Sequence, residues 1–282
     1  LSAAAAANPY RRSKSLCMPM LLGAHSPKLD AVRGLRTKAG RREAGRFTLE
    51  GPTLLEEAVR SGLELEAVYA TERAYSALGA LAERIGAPVF LIPDKAMSRL
   101  SELDSPPGIV AVAPLGDSEL GTLLDGRGPL LLLAGVADPG NAGTLLRSAE
   151  IFGFAGVIFA RDGVEPHNPK VVRAAMGALF RVPHALAAAE EVVTGARERE
   201  YMLIATSNDG QPLPDFRFER RSIVAVGNER HGVAGWLPSW DRAVAIPQPG
   251  GGESLNAAVA GSIVAYAASQ QLSTSAERSE KA

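Results

Sequence analysis

The stretch LLLLAGVADPGNAGTLLRSAEIFGFAG, residues 130–156, decides the fold. An unbroken apolar run at 130–136 is short enough for a strand buried on both faces. The DPG turn at 138–140 stops it, and Ala142, Leu145, Leu146 and Ala149 then recur at helical spacing. Strand, tight polar turn and helix in that order describe one unit of a parallel α/β sheet. Asn141, Gly143 and Arg147 fall at the start of the helix, at the carboxyl end of the strand, where open α/β sheets bind their ligands.

Two later segments repeat the pattern of a buried strand entering a polar loop: VAVGNERHG at 224–232 and IPQPGGGESLN at 246–256. Between and after them the sequence predicts strands over 130–136, 156–160, 201–207, 222–227 and 243–247, and helices over 142–153, 169–180, 189–200 and 255–271. In the last helix Leu255, Ala258, Val259, Ser262, Ile263 and Tyr266 share one stripe, which is expected to pack against a neighbour. Upstream, FTLEG, AVYAT, VFLIP and GIVAVAP are strand-like, and PTLLEEAVRSG, 73–86 and 94–103 are helical.

The expected organisation is a disordered or non-native leader over 1–25, with Met18 and Met20 as candidate native starts, and a small α/β domain over 26–114. A Gly-rich linker over 115–128, a larger α/β domain with a mostly parallel sheet over 129–272, and a flexible tail over 273–282 complete it. A chain of 282 residues accommodates two such cores. The net charge of −1 argues against a protein that is basic overall, yet allows a local basic patch. Cys17 is the only cysteine, which excludes disulfides within these residues and cysteine-based metal sites and fits a reducing cytoplasm. No apolar run is long enough to cross a bilayer.

The three loops also carry ordered motifs. Asn-x-Gly-x-x-x-Arg-[Ser/Thr]-Ala is met by Asn141, Gly143, Arg147, Ser148 and Ala149; Gly-Asn-Glu by Gly227, Asn228 and Glu229; and Ile-Pro with Ser-Leu-Asn by Ile246, Pro247, Ser254, Leu255 and Asn256. Together with Lys170, Arg173 and MGALFRVP at 176–183, they make residues 129–271 resemble the SpoU/TrmH class of the SPOUT superfamily. A weaker resemblance over 26–113 is to the ribosomal-protein-like RNA-binding domain that many of these enzymes carry.

The resemblance implies a trefoil-knotted parallel-sheet domain, S-adenosylmethionine as cofactor with S-adenosylhomocysteine as product, and a homodimer. The implied reaction is methyl transfer to the ribose 2′-OH of RNA, with large-subunit rRNA favoured by the amino-terminal domain. The alternatives are a tRNA 2′-O-methyltransferase and a catalytically weak RNA-binding or ribosome-assembly protein on the same scaffold. Implied cofactor-binding residues are Gly227, Ile246, Leu255 and Asn256, and implied catalytic residues are Asn141, Arg147, Glu229, Ser254 and Asn256. The family usage of Arg147 as general base conflicts with a guanidinium that is always protonated, so a clamp on the phosphate beside the target nucleotide fits better. Without the motif, Arg147 would be a surface residue paired with Glu150.

Asn141 and Ser254 suit helix capping as well as a site role, whereas Asn256 just inside a helix is harder to explain structurally. Arg230 and Ala175 depart from the family, standing where Gly and Ser are common. RNA contact is expected from the run Arg33, Arg36, Lys38, Arg41, Arg42 and Arg46. No metal is expected: His25, His167, His184 and His231 lack ligand spacing. PGGGES has no Lys after its glycines, and neither a dinucleotide fingerprint nor a nucleophile elbow is present.

Overall fold

The computed structural model describes residues 18–250 and 254–280. Residues 1–17, with most of the expected leader and Cys17, lie outside the described residues, as do 251–253 and 281–282.

The amino-terminal unit holds strands β1 (Met20–Leu21), β2 (Arg46–Glu50), β3 (Ala67–Ala70), β4 (Val89–Leu91) and β5 (Ile109–Pro114) in the order β1-β4-β3-β5-β2. Around them lie α1 (Pro27–Gly34), α2 (Lys38–Ala44), α3 (Pro52–Ser61), α4 (Glu72–Ala77) and α5 (Asp94–Leu100). Ser26 and Thr37 cap α1 and α2 with their hydroxyls, and Gly45 ends α2 in the left-handed region at φ 64°. The expected helix over 73–86 is two pieces, α4 and a short 3-10 turn at Gly79–Arg84. The expected leader ends earlier than residue 25: Met20 and Leu21 pair with Phe90 and Leu91, and α1 begins at Pro27.

In the carboxyl-terminal unit β6 (Leu130–Ala134), β7 (Gly156–Ala160), β8 (His184–Ala187), β9 (Met202–Pro212), β10 (Ser222–Gly227) and β11 (Arg242–Ala245) form a parallel sheet in the order β11-β9-β10-β6-β7-β8. Its helices are α6 (Leu120–Leu124), α7 (Pro139–Ile151), α8 (Pro169–Ala175), α9 (Ala189–Glu198) and α10 (Ala257–Glu280). Leu131 and Leu133 of β6 join the core formed with α7, α8 and α10, while Leu130 and Leu132 join Leu123, Leu124, Val192 and Ala196 on the opposite face. Both faces are covered, which is why the strand is apolar at every position. Leu123 and Leu124 also place α6 inside this second core, so the segment expected as a linker is partly structural wall.

Three further expectations are corrected. The helix over 169–180 stops at Ala175, because Met176 and Gly177 take φ 49° and 89° and Glu57 of α3 sits where a Cβ on Gly177 would be. The last helix runs to Glu280, past the residue where a tail was expected. Its buried face is Ala257, Ala258, Gly261, Val264, Ala265 and Ala268, whereas Leu255, Val259, Ile263 and Tyr266 of the expected packing stripe are exposed in the single chain. Gly261 is required there: a Cβ would lie 2.5 Å from Leu145 Cδ2 and 2.8 Å from Val226 Cγ2.

The two units share one continuous core, in which Phe47, Leu49 and Leu55 meet Val172 and Leu179. A buried ion pair crosses the same junction: Arg41 Nε and Nη2 donate to Glu165 Oε1 and Oε2 at 3.0 and 2.8 Å. No helix among the described residues is long and apolar enough to cross a membrane.

Candidate active site

After β6 the chain turns through Gly135, at φ 72°, beneath Trp236. Asp138, not Asn141, caps α7: its Oδ1 accepts from the Asn141 backbone N–H at 2.7 Å, with Pro139 in the first turn. This frees the Asn141 side chain for the other two loops. Its Nδ2 donates to Glu229 Oε1 at 2.5 Å, and its Oδ1 accepts from Asn256 Nδ2 at 3.0 Å. Asn141, Glu229 and Asn256, one from each motif, therefore meet.

Asn256 has the capping role that the sequence offered to Ser254. Its Oδ1 accepts from the backbone N–H groups of Ala258 and Val259 at 2.9 and 3.2 Å, so one amide caps α10 and reaches Asn141. Ser254 is exposed beside residues 251–253 and is not drawn into this network.

The Gly-Asn-Glu loop closes on itself. Asn228 Nδ2 donates to the Gly135 carbonyl at 3.1 Å, its Oδ1 accepts from the Arg230 N–H at 2.9 Å, and its carbonyl accepts from the Gly232 N–H at 2.9 Å. A Cβ on Gly227 would lie 2.1 Å from the Gly232 carbonyl carbon, so no other residue fits this turn. Arg230 enters the loop through its backbone, and Glu229 pairs with Asn141 rather than with Arg230. Ile246 is half-buried and Leu255 is 38% exposed, so plain core packing describes neither side chain fully.

Within the Asn141–Ala149 motif the residues divide by task. Gly143 admits α8, since a Cβ there would lie 2.4 Å from Ala174 Cβ, and buried Ala175 continues the contact. Ser148 Oγ meets Ser262 Oγ at 2.7 Å and ties α7 to α10, a role not visible in the sequence. Arg147 is exposed and has no hydrogen bond or ion pair among the described residues. Glu150, its expected alternative partner, binds Arg181 instead.

The basic run divides in the same way. Arg41 is 2% exposed and saturated by Glu165 and by the carbonyls of Leu35 and Arg36, so it does not face a phosphate; this corrects its expected place on the RNA surface. Arg33, Arg36 and Arg46 remain exposed in pairs with Asp30, Glu102 and Glu66. Lys38 and Arg42 are exposed with no ion pair among the described residues.

Two cavities, of about 200 and 680 Å³, lie away from the loop cluster: one at the junction beside Phe47 and His184, the other between Phe152, Arg220 and Leu272.

Residues 129–266 match the SpoU rRNA methylase family, and residues 26–111 match the MRM3-like substrate binding domain. The 23S rRNA (guanosine(2553)-2′-O)-methyltransferase RlmP of Bacillus subtilis is 30% identical over 253 residues, covering 88% of this chain and 98% of that protein. The 23S rRNA (uridine(2479)-2′-O)-methyltransferase of Streptomyces viridochromogenes is 30% identical, covering 86% and 88%. Among solved structures, the SpoU methyltransferase AviRb of Streptomyces viridochromogenes in complex with AdoMet superimposes with a TM-score of 0.78 at 26% identity, covering 88% of this chain and 98% of that one. An AdoMet-bound rRNA methyltransferase of Sinorhizobium meliloti gives 0.75 at 26% identity, covering 89% and 98%.

Proposed function

This chain belongs to the SpoU rRNA methylase family, and from that premise we propose that it methylates the ribose 2′-OH of a nucleotide in large-subunit rRNA, using S-adenosylmethionine and acting as a cytoplasmic homodimer. The observation that carries the reading is the Asn141 amide, which joins the Glu229 loop and the head of α10 while Arg147 stands unpaired on the same helix.

The donor set suits the cofactor. An adenosine needs hydrogen-bonding backbone edges and apolar walls, and the loops at Gly227, Ile246 and Leu255 offer these, with the Asn256 amide nearby. When bound, S-adenosylmethionine supplies an electrophilic methyl group on a sulfonium. The protein's task is then alignment, which can provide most of the rate. The exposed Arg147 guanidinium presents a planar fork to the phosphate beside the target nucleotide. It has no lone pair, so the hydroxyl proton leaves to that phosphate or to water. Glu229 is held through Oε1 by Asn141, which leaves its other oxygen to accept from the ribose.

The dimer is supported by Val259, Ile263 and Tyr266, exposed on α10, by Leu255 just before it, and by Ile151 of the neighbouring α7, which is 71% exposed. Exposed apolar groups gathered in this way mark an association surface. The trefoil knot is part of the same proposal, supported by the return of α10 from the sheet edge at β11 to the sheet centre, where it packs on α7 and β10. RNA is expected to meet the amino-terminal unit through Lys38 and Arg42, with Arg33, Arg36 and Arg46 beside them.

Calorimetry on the full chain in a chelating buffer tests the cofactor half of the proposal. Binding of S-adenosylmethionine and S-adenosylhomocysteine without metal is expected; no detectable heat at about millimolar ligand, a level that registers even weak sites, contradicts it.

A further inference from the structure

Away from the loop site, the fold brings together three groups that the sequence scatters. Asp117 lies in the segment leaving β5, His167 in the loop between β7 and α8, and His184 at the first position of β8. Their ligating atoms all lie within 4.8 Å of one another. Asp117 Oδ1 is 3.4 Å from His184 Nε2 and 3.6 Å from His167 Nδ1. Both imidazoles are almost fully buried, with 3% and 4% of their side-chain surface exposed, against one third for Asp117.

The His184 contact is unusual for a buried group. Its Nδ1 lies 3.1 Å from the Val182 carbonyl, an acceptor, so Nδ1 is the proton donor there. That Nε2 has no hydrogen-bond partner among the described residues, and it faces a carboxylate oxygen, another acceptor. A buried Nε2 lone pair set against a carboxylate oxygen at this distance is repelled unless a proton or a metal ion lies between them. His167 completes the triangle, with its Nδ1 3.6 Å from the same Asp117 oxygen. Neutral imidazole is the form that ligates metal.

We propose that Asp117, His167 and His184 form a binding site for one divalent transition metal, with Zn²⁺ the best fit, at the junction of the two units. Bonds of about 2.0–2.1 Å at tetrahedral angles set ligand atoms about 3.3–3.4 Å apart, close to the two distances from Asp117. An N₂O donor set selects zinc-like ions over Mg²⁺ and Ca²⁺, which take oxygen ligands. The Val182 carbonyl supplies the outer contact that orients a ligating imidazole. The cavity of about 200 Å³ lined by Phe47, Ser118, His167, Arg181 and His184 admits a water as fourth ligand.

The role is structural. His167 packs against Phe47 of β2 with ring centroids 4.7 Å apart, and its loop also carries Glu165, the partner of Arg41. An ion here ties the segment leaving the amino-terminal unit to a loop and a strand of the carboxyl-terminal sheet and holds the angle between them. It takes no part in methyl transfer.

Metal-stripped full-length protein titrated near neutral pH with Co²⁺ and with Zn²⁺ tests the site. One equivalent of Co²⁺ should develop visible d–d absorption, and one equivalent of Zn²⁺ should raise Tm by a few degrees, as expected for a ligand specific to the folded state. Asp117→Asn keeps the shape of a partly exposed side chain and should weaken Zn²⁺ binding by more than about 100-fold, since outer contacts alone cost 10–100-fold. His184→Gln should do the same, and His231→Gln, on an exposed loop, should change nothing. Absence of both the absorption and the Tm shift at saturating metal means that the cluster holds a proton instead and overturns the proposal. Binding undiminished in Asp117→Asn overturns it equally.

Discussion

Asn141 and Glu229, 88 residues apart in sequence, are joined by a 2.5 Å hydrogen bond from the Asn141 amide to the Glu229 carboxylate. Asp138 has taken the capping position of α7, which leaves the Asn141 oxygen free to accept as well. Asn256 adds the third loop from the other side. The site's shape thus depends on one amide having both a donor and an acceptor.

Asn141→Asp tests that dependence. It keeps the shape and the acceptor but removes the donor and sets a second carboxylate against Glu229. Stability should fall by only about 1 kcal/mol, the usual net worth of one hydrogen bond, because the group is near the surface. Turnover should fall at least about 100-fold through misalignment, with the unfolding midpoint and single-turnover methylation as the paired readouts.

Arg147→Ala should abolish methylation while leaving cofactor affinity unchanged. Since Arg147 has no partner among the described residues, stability should stay within about 0.5 kcal/mol of the parent. Arg147→Lys should recover little, because an ammonium lacks the two-pronged geometry. Near-full turnover from the Lys variant rules out the phosphate clamp.

Arg41 and Arg42 are neighbours with opposite expected phenotypes. Arg41→Ala strands the buried Glu165 carboxylate and should destabilise the protein by about 3–5 kcal/mol, read by chemical denaturation. Arg42→Ala and Lys38→Ala should leave stability alone and each reduce the salt dependence of RNA binding by about one unit, similarly for all RNA sequences. An unchanged salt slope in the double variant removes this face from the RNA-binding surface.

Val259→Asp and Ile263→Asp place charges on the exposed face of α10. Each should convert a dimer to a folded monomer in sedimentation analysis and lower activity with it. A parent protein that sediments as a monomer at the concentrations of the assay refutes the dimer.

Much of this architecture was legible because double-sided burial leaves no polar position. The ranges 156–160 and 222–227 are strands to the residue, and β6 is the apolar run shortened by Gly135 and Val136. Less visible were features set by backbone or by distance. Strand β1 has two residues and pairs through its main chain, so no side-chain pattern announces it. The break at Met176 and Gly177 follows from the approach of Glu57, more than a hundred residues upstream. Arg41 resembles its exposed neighbours in sequence, and only the arrival of Glu165 distinguishes it. In the site, the motifs named the residues that meet, but the capping of α10 by Asn256 and of α7 by Asp138 reversed the roles read from spacing alone.

The central claim is the transfer of a methyl group to a ribose hydroxyl of large-subunit rRNA. Its most direct test is to incubate the purified full chain with labelled S-adenosylmethionine and large-subunit rRNA, digest the RNA to nucleosides and identify the labelled product by mass spectrometry. The account predicts one labelled 2′-O-methylnucleoside at a single position, absent with Arg147→Ala. Label on a base, or none on rRNA under conditions where the cofactor binds, would contradict it.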